Sequence, residues 1–491
     1  MQPDSPLDLP PSTEPSDTIV EEPVGKPEAL ERVILLTPGG PLVVDVSITL
    51  AGRPLAEVFD EVIRQVLDAG DTDGDGRATW QEWQANKEFL QGELAGAAGV
   101  NQRQLKQWIE RYDENQDNEM QSQEAAGWLG RNSGDSAQAF AVRSSKSFSA
   151  HPGLTSRVWQ LLDDGQDGAL SEEEVSGAPG RFWSFDADDD RTITLSEMMP
   201  LKAKLEASGG QRSSVARGLD RYAAVHLYED FELDRLDSLL SDFYAPRQNL
   251  GPDSFPDMPN LFRQLDESRD QKLDRGELAR LMSIEPALKL SIDFGKADES
   301  VGAATLNVED HAAEIQLVLQ SDKERVILSL GKTRLLVSVH DLALGNDAGQ
   351  MAERSQVRLM VHDQCDALFM ELDSDGDGRL SERELDTCGE RLLQFDTNGD
   401  RRITSDELPS PMIVAFLRGE PASQRSFYVP ESAAKTSRSD ELPLWFSKAD
   451  FNGDGDISRR EFLGPAEQFS QLDSNQDGYI SGAEGAGHRV E

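Results

Sequence analysis

The twelve residues Asp71-Thr-Asp-Gly-Asp-Gly-Arg-Ala-Thr-Trp-Gln-Glu82 place carboxylates at positions 1, 3, 5 and 12 of one short segment. Position 6 is glycine, which adopts the positive φ of a tight loop without steric cost. Three short acids, the position 7 carbonyl and a bidentate glutamate supply the hard oxygen ligands that Ca²⁺ takes. The segment is therefore predicted to be a calcium-binding loop.

The same spacing recurs eight more times, always with aspartate at position 1 and glutamate at position 12. Position 8 is apolar in all nine loops, which suits a short β-bridge between two paired loops. Acidic turns that merely cap helices do not account for nine such matches. The further loops are 113–124, 163–174, 186–197, 266–277, 373–384, 396–407, 450–461 and 473–484.

The predicted metal ligands occupy positions 1, 3, 5, 7 and 12, and position 7 contributes its backbone carbonyl. In the first five loops they are Asp71, Asp73, Asp75, Arg77, Glu82, Asp113, Asn115, Asp117, Glu119, Glu124, Asp163, Asp167, Ala169, Glu174, Asp186, Asp188, Asp190, Thr192, Glu197, Asp266, Ser268, Asp270, Lys272 and Glu277. In the last four they are Asp373, Asp375, Asp377, Arg379, Glu384, Asp396, Asn398, Asp400, Arg402, Glu407, Asp450, Asn452, Asp454, Asp456, Glu461, Asp473, Asn475, Asp477, Tyr479 and Glu484.

The completeness of the ligand set ranks the loops. Four loops have every side-chain ligand and glycine at position 6, and these are expected to bind best: those at Asp71, Asp373, Asp450 and Asp473. The loop at Asp113 carries Asn118 at position 6, and asparagine tolerates a left-handed backbone better than most residues do. We expect that loop to bind as well.

Weaker binding is expected in the remaining loops. Arg191 and Arg401 occupy position 6 of their loops, where a side chain costs roughly 1 kcal/mol, or several-fold in affinity. Gly165 removes the position 3 ligand of its loop, and Ser268 stands at that position in the loop 266–277. For these last two loops the sequence leaves open whether they bind calcium or are only structural.

Apolar residues four and one before many of the loops indicate an amphipathic helix that leads into the metal site. Examples are Phe369 with Leu372 and Phe469 with Leu472. The loops and flanks together resemble the EF-hand superfamily over about half of the chain. The resemblance implies calcium as the ligand and a mainly α fold, built from tandem compact EF-hand pairs with a small antiparallel β segment.

Three pairs of loops begin 23 residues apart, as in 186 minus 163, and the starts are 163/186, 373/396 and 450/473. A continuous helix would hold two such loops at its opposite ends, so the connector is predicted to bend. Glycine and proline stand where the bend is needed, at Gly177-Ala-Pro179-Gly180, Gly389 and Gly464-Pro465. Such compact pairs resemble multi-EF-hand proteins of bacteria, planctomycetes among them.

The loop at Asp266 lacks an evident partner. Counting back 23 residues predicts a degenerate loop at 243–254, in which Leu250 takes position 8 and meets Leu273. No calcium can bind there, because positions 1, 5 and 12 are Phe243, Arg247 and Ser254. The alternative is an irregular, proline-rich linker over 244–259.

Two regions predict β-structure. Within 287–343, Leu288, Leu290 and Ile292 alternate with polar residues, which predicts a small antiparallel sheet. Near the start, apolar runs flank Thr37-Pro-Gly-Gly-Pro41, which predicts a hairpin. Serine-rich stretches at 131–157, 207–216 and 419–440 are predicted to be linkers.

These signals predict seven regions. They are a disordered acidic tail (1–30), a β-hairpin with the first EF-hand pair (31–130), a second pair (158–205), a degenerate hand paired with the fifth EF-hand (217–285), a small β segment (286–345), another pair (360–418) and a C-terminal pair (441–491).

The formal charge of the 491 residues is −43, which argues against nucleic-acid binding. No apolar run is long enough to span a membrane, and residues 1–25 show no secretory signal. Loops with missing ligands fill only where calcium is abundant, and this favours an extracytoplasmic location. The compartment therefore stays open.

Catalytic motifs are not evident, and the six histidines lie singly, so an enzyme is not expected. The ten methionines are dispersed, whereas a calcium sensor opens a methionine-rich groove. We therefore expect a calcium-stabilised scaffold or a calcium store. The alternative is a calcium-regulated sensor or adaptor whose protein partner, not identifiable here, docks on the β segment.

Overall fold

The computed structural model describes residues 30–87, 102–129, 138–144, 156–198, 224–228, 231–245, 249–295, 304–341, 354–362, 366–374, 378–419 and 442–487. Within these ranges the chain forms two six-stranded sheets and three two-stranded sheets, together with short helices. The prediction of a mainly α fold is wrong, because the protein belongs to the mixed α and β class. The predicted acidic tail lies almost wholly outside the described residues.

The strands, in chain order, are β1 (Leu30–Thr37), β2 (Gly40–Leu50), β3 (Arg53–Pro54), β4 (Phe140–Ser144), β5 (Ala169–Ser171), β6 (Ile193–Thr194), β7 (Ala224–Leu227), β8 (Leu288–Phe294), β9 (Thr305–His311), β10 (Ile315–Asp322), β11 (Arg325–Leu330), β12 (Thr333–Asp341), β13 (Val357–His362), β14 (Arg379–Leu380), β15 (Arg402–Thr404), β16 (Ser410–Arg418), β17 (Asp456–Ser458) and β18 (Tyr479–Ser481).

The helices are α1 (Leu55–Gly70), α2 (Trp80–Ala85), α3 (Gln102–Tyr112), α4 (Ser122–Leu129), α5 (Arg157–Leu162), α6 (Glu172–Ser176), α7 (Ala178–Phe182), α8 (Leu195–Met198), α9 (Leu233–Tyr244), α10 (Pro259–Leu265), α11 (Arg275–Ala279), α12 (Ala367–Leu372), α13 (Glu382–Leu393), α14 (Leu444–Ala449), α15 (Ala466–Leu472) and α16 (Gly482–Gly487). No helix of the described ranges is long and apolar enough to cross a membrane.

The two large sheets mix parallel and antiparallel pairs. The first has the order β7-β1-β2-β8-β9, with β3 paired to β2, and β2 runs parallel to β8. The second has the order β10-β11-β12-β16-β13-β4, with parallel pairs at β12–β16 and β13–β4. The predicted hairpin is present as β1 and β2, and Thr37 pairs with Gly40 across its turn.

Side chains from both sheets and from helices α9 to α11 meet in one buried core. Strand β8 alternates buried and half-buried residues, because one of its faces lies on this core. The two sheets also touch at one end, where the ring of Phe140 on β4 lies edge-on to that of His226 on β7, with centroids 5.0 Å apart. The fold is thus a shared β-core around which the predicted calcium loops are arranged.

Several predicted boundaries miss strands of these sheets. The β segment predicted at 287–343 is divided between both sheets, and the first hairpin joins one of them. Strand β16 lies within the region assigned to a helical pair, and it is buried on both faces, so its sequence shows no alternation. Strand β4 lies within the predicted linker 131–157, while the linker at 207–216, and that at 419–440 apart from Gly419, lie outside the described residues.

Asp257 ties together one hairpin turn from each large sheet. Its N–H donates to the carbonyl of Gly39, in the turn between β1 and β2, at 2.9 Å. Burial raises the pKa of its carboxyl, while the charge and the backbone N–H of Lys332, in the turn between β11 and β12, act in the opposite direction. A Cβ added at Gly39 or Gly331 would overlap this carboxyl group. A side chain at either glycine would therefore displace the Asp257 carboxyl group.

We expect Gly331→Ala to lower the free energy of unfolding by about 2–4 kcal/mol. Gly331 has φ +54°, which costs a side chain roughly 1–2 kcal/mol, and the overlap with Asp257 adds a similar amount. Gly52→Ala is the matched control, because Gly52 has φ +75° with open space around it. Urea unfolding at saturating calcium measures both, and equal losses would contradict the role of Asp257.

Candidate calcium centres

Position 6 has a positive φ in all nine predicted loops. The glycines there have φ between 79° and 93°: Gly76, Gly168, Gly378, Gly455 and Gly478. The other four residues have φ between 62° and 67°: Asn118, Arg191, Gln271 and Arg401. The loops thus share one backbone turn, and in four of them a side chain bears the roughly 1 kcal/mol cost of that conformation.

The first and last acids of a loop hold its turn in place. At position 1, Asp373 accepts the N–H of Gly378 at 2.8 Å, and seven other loops have the equivalent bond. At position 12, Glu484 accepts the N–H of Ser474 and that of Ser481, each at 2.9 Å. Burial opposes ionisation of Glu484, yet hydrogen bonds from Ser481 and Ser474 lower its pKa to about 2. The closing glutamate is therefore ionised at neutral pH.

Ligand oxygens converge closely enough to share one cation in two loops. One oxygen each from Asp71, Asp73 and Glu82 lies within 4.8 Å of the others, and the same holds for the loop acids at positions 1, 3 and 5 of 186–197. Burial, followed by the charges of neighbouring acids, raises the pKa of Asp188 in the second group. A divalent cation relieves such repulsion, so both oxygen sets fit calcium.

In the loop at Asp450, the protein environment also disfavours the ionised form of two predicted ligands. Burial raises the pKa of Asp450 and raises that of Asp454 to about 8. A bound Ca²⁺ would favour the ionised form of both groups.

The assignment of individual ligands stays a prediction, and Asp375 and Asp377 lie outside the described residues. Gly165 brings only its N–H, which donates to Glu174 at 3.0 Å.

Position 8 joins loops in pairs, as the sequence predicts for three of the pairings. In the first, the N–H of Met120 donates to the carbonyl of Ala78 at 2.8 Å. In the last, Ile457 pairs with Ile480. The N–H of Leu273 also donates to the carbonyl of Leu250 at 2.9 Å, so the loop at Asp266 is bridged to the degenerate segment, not to a free linker.

The other two pairings are crossed, and the prediction that 163 pairs with 186 and 373 with 396 is wrong. Strand β5 pairs with β15, which places Leu170 opposite Ile403. Strand β6 pairs with β14, which places Ile193 opposite Leu380. Each loop therefore takes its partner from a distant part of the chain.

For the loops at Asp373 and Asp396, the crossed pairing follows from a connector that does not bend. Helix α13 runs without a break through Gly389, and its twelve residues span about 18 Å, so the loops at Asp373 and Asp396 lie at its opposite ends. The connector between the loops at Asp163 and Asp186 is divided at Gly177, which separates α6 from α7 with φ −82° and ψ −2°, yet its two loops do not pair with each other. By contrast, Gly464-Pro465 interrupts the connector of the last pair, whose two loops meet each other.

An EF hand family model matches the chain in four places, at residues 63–85, 366–388, 444–463 and 466–484. These matches support an EF-hand family. They contain the four loops with complete ligand sets, and they indicate calcium binding. No curated protein and no solved structure matches the chain.

The four predicted hands whose loops pair crosswise, residues 156–198 and 366–408, form what we call the four-hand module. They share one buried core that includes Trp159, Phe369 and Cys388. Asp366 links the two segments, because its carboxylate accepts the hydroxyl of Ser156 at 2.6 Å and the N–H of Val158 at 2.9 Å. Burial raises the pKa of the Cys388 thiol to about 12.

The C-terminal EF-hand pair, residues 442–487, has its own small core around Phe446, Ile457 and Ile480. It lies against the four-hand module, where Arg379 donates to the carbonyl of Asn452 at 3.0 Å. Sequence reasoning missed this contact, because an arginine within a calcium loop carries no local signal of a distant partner.

Proposed function

We propose that the protein is a calcium-stabilised scaffold or calcium store and not an enzyme. The crossed pairing of the four-hand module supports this most directly, because each crossed pair joins a segment that precedes strands β7 to β13 to one that follows them. Calcium in these loops would hold distant parts of the chain together. We also propose that the protein is of the bacterial, planctomycete-like multi-EF-hand type. The spacing of 23 residues between paired loops supports this.

The second candidate is a calcium-regulated sensor or adaptor. It is favoured by an apolar cavity of about 710 Å³ in the C-terminal pair, lined by Trp445, Phe462, Leu463 and Leu472 among others. Leu463 is 88% exposed, so an apolar partner would gain by covering it.

Fluorescence of an apolar dye during calcium addition separates the two. A scaffold folds when it binds calcium and buries its apolar residues. Dye fluorescence should therefore fall when calcium is added back to calcium-free protein. A sensor exposes apolar surface, so fluorescence should rise. Leu463→Gln is the control, because a rise that originates in the C-terminal cavity must shrink in this variant. If calcium raises the dye fluorescence of the parent and Leu463→Gln abolishes this rise, the protein is a sensor and the scaffold proposal is wrong.

A further inference from the structure

One arginine of the four-hand module contacts both loops of the C-terminal pair. Arg383, on helix α13, forms an ion pair with Asp456 Oδ2 at 3.1 Å and with Asp477 Oδ2 at 3.0 Å. Asp456 belongs to the loop 450–461 and Asp477 to the loop 473–484. A single positive charge therefore bridges two predicted calcium sites that lie outside its own hand.

The contacted residues are part of the predicted ligand sets. Asp477 stands at position 5, which binds calcium through its side chain, and Asp456 stands at position 7, which binds through its carbonyl. The Oδ1 atom of Asp477 accepts the N–H of Tyr479 at 3.0 Å, while Arg383 holds the other oxygen. The guanidinium group thus neutralises a carboxylate that calcium must also use.

This contact is more than an exposed ion pair. The Arg383 side chain is 30% exposed, and the side chains of Asp456 and Asp477 are 16% and 36% exposed, so the contact is partly shielded from solvent. The guanidinium carbon lies 5.2 Å from the ring centroid of Tyr479, whose hydroxyl donates to Asp386 at 2.8 Å. Reduced exposure weakens solvent screening, so the charge of Arg383 acts strongly on the loops beside it.

We propose that Arg383 lowers the calcium affinity of the C-terminal pair, so that docking of this pair on helix α13 and calcium binding in its loops oppose each other. The inference rests on the proposed function only in assuming that the loops bind calcium. A cation near a ligand carboxylate repels Ca²⁺ and competes for its oxygen. By linkage, calcium in the C-terminal loops weakens their hold on Arg383 to the same degree.

Calorimetric calcium titration of the full chain tests the proposal. Arg383→Gln is expected to tighten binding at the two C-terminal sites by about three- to tenfold. Arg383→Lys keeps the charge and should remain close to the parent. Arg391→Gln is the matched control, because Arg391 lies on the same helix but faces the charge of Glu371. If Arg383 is only a passive tie, its removal leaves the affinities unchanged, and that result would overturn the proposal.

Arg383 also stands at position 11 of its own loop, so the effect must be assigned to the right sites. Glu461→Gln with Glu484→Gln removes the position 12 ligand of both C-terminal loops. In that background Arg383→Gln should have no further effect on the remaining heats, and a persisting effect would place its action in the loop at Asp373 and refute the coupling. A chain that gives no calcium heat in any variant would instead contradict calcium binding itself.

Discussion

Chelation of calcium is expected to unfold the four-hand module near room temperature and to make the Cys388 thiol reactive. A site filled at about a thousand times its dissociation constant contributes roughly 4 kcal/mol, so the complete loop at Asp373 together with the weaker loops can contribute an amount comparable with the whole stability of a typical domain, about 5–15 kcal/mol. Without the cation, burial and, after it, the charges of the neighbouring acids raise the pKa of Asp188, so the ionised loop is destabilised.

Cys388 reports the opening directly. Its side chain is fully buried in the module core, and burial raises its pKa to about 12, so very little thiolate is present at pH 8. Alkylation at pH 8 should be slow with calcium and fast with a chelator, and peptide mass spectrometry separates Cys388 from Cys365. Calorimetric melting gives the matching loss of stability.

Magnesium is the control for this experiment, because it demands a smaller, octahedral oxygen shell. Replacing calcium by an equal concentration of magnesium should leave Cys388 more reactive than calcium does. A melting temperature and an alkylation rate that do not respond to the chelator would show that the module is stable without calcium.

The left-handed turn at position 6 and the apolar residue at position 8 are the features that the sequence predicts best, because both are local. Twelve consecutive residues contain the predicted ligands and this turn, and position 8 is apolar where two loops meet. The pairing at position 8 is correctly predicted even for the degenerate loop 243–254, which lacks the acidic ligands. Leu250 pairs with Leu273 although its segment has lost the acids at positions 1, 5 and 12.

The partner of each loop is harder to predict, because Gly177-Ala-Pro179-Gly180 and Gly464-Pro465 both combine glycine with proline, yet only the second connector joins loops that pair with each other. Gly389 can remain inside a helix at a cost of roughly 1 kcal/mol, so α13 stays straight. Pro465 lacks the N–H that a continuing helix needs, so the last connector turns. Equal spacing of 23 residues therefore conceals two different geometries.

Alternation of apolar and polar residues predicts strand β8, and apolar runs beside a turn predict β1 and β2, although β2 is buried along most of its length. Strand β16 is also buried on both faces, and its residues from Pro411 to Leu417 are apolar without alternation. Strand β7 has only four residues, too few to show a period. That β16 lies between β12 and β13 follows from long-range packing, which no window of sequence contains.

The crossed pairing makes the second large prediction, which concerns Glu384→Gln. Glu384 closes the loop at Asp373, is 4% exposed, and accepts the N–H of Ser381 at 2.9 Å. We expect this change to abolish calcium binding at its own loop and to weaken the hand at Asp186, because β6 loses a fixed partner. The replacement of one carboxylate by an amide would thus affect two sites. A site filled at about a thousand times its dissociation constant contributes roughly 4 kcal/mol to the free energy of unfolding.

Hydrogen exchange at saturating calcium locates the collateral effect. In Glu384→Gln the amides of β6 should exchange faster by a larger factor than those of β15, although β15 belongs to the hand next in sequence. Glu484→Gln is the matched control, since its effect should fall on β17 in the adjacent hand, where the pairing is local. A loop that loses its cation first destabilises the strand to which it is hydrogen-bonded. Faster exchange in β15 with β6 unchanged would therefore mean that hands adjacent in sequence pair with each other in this module.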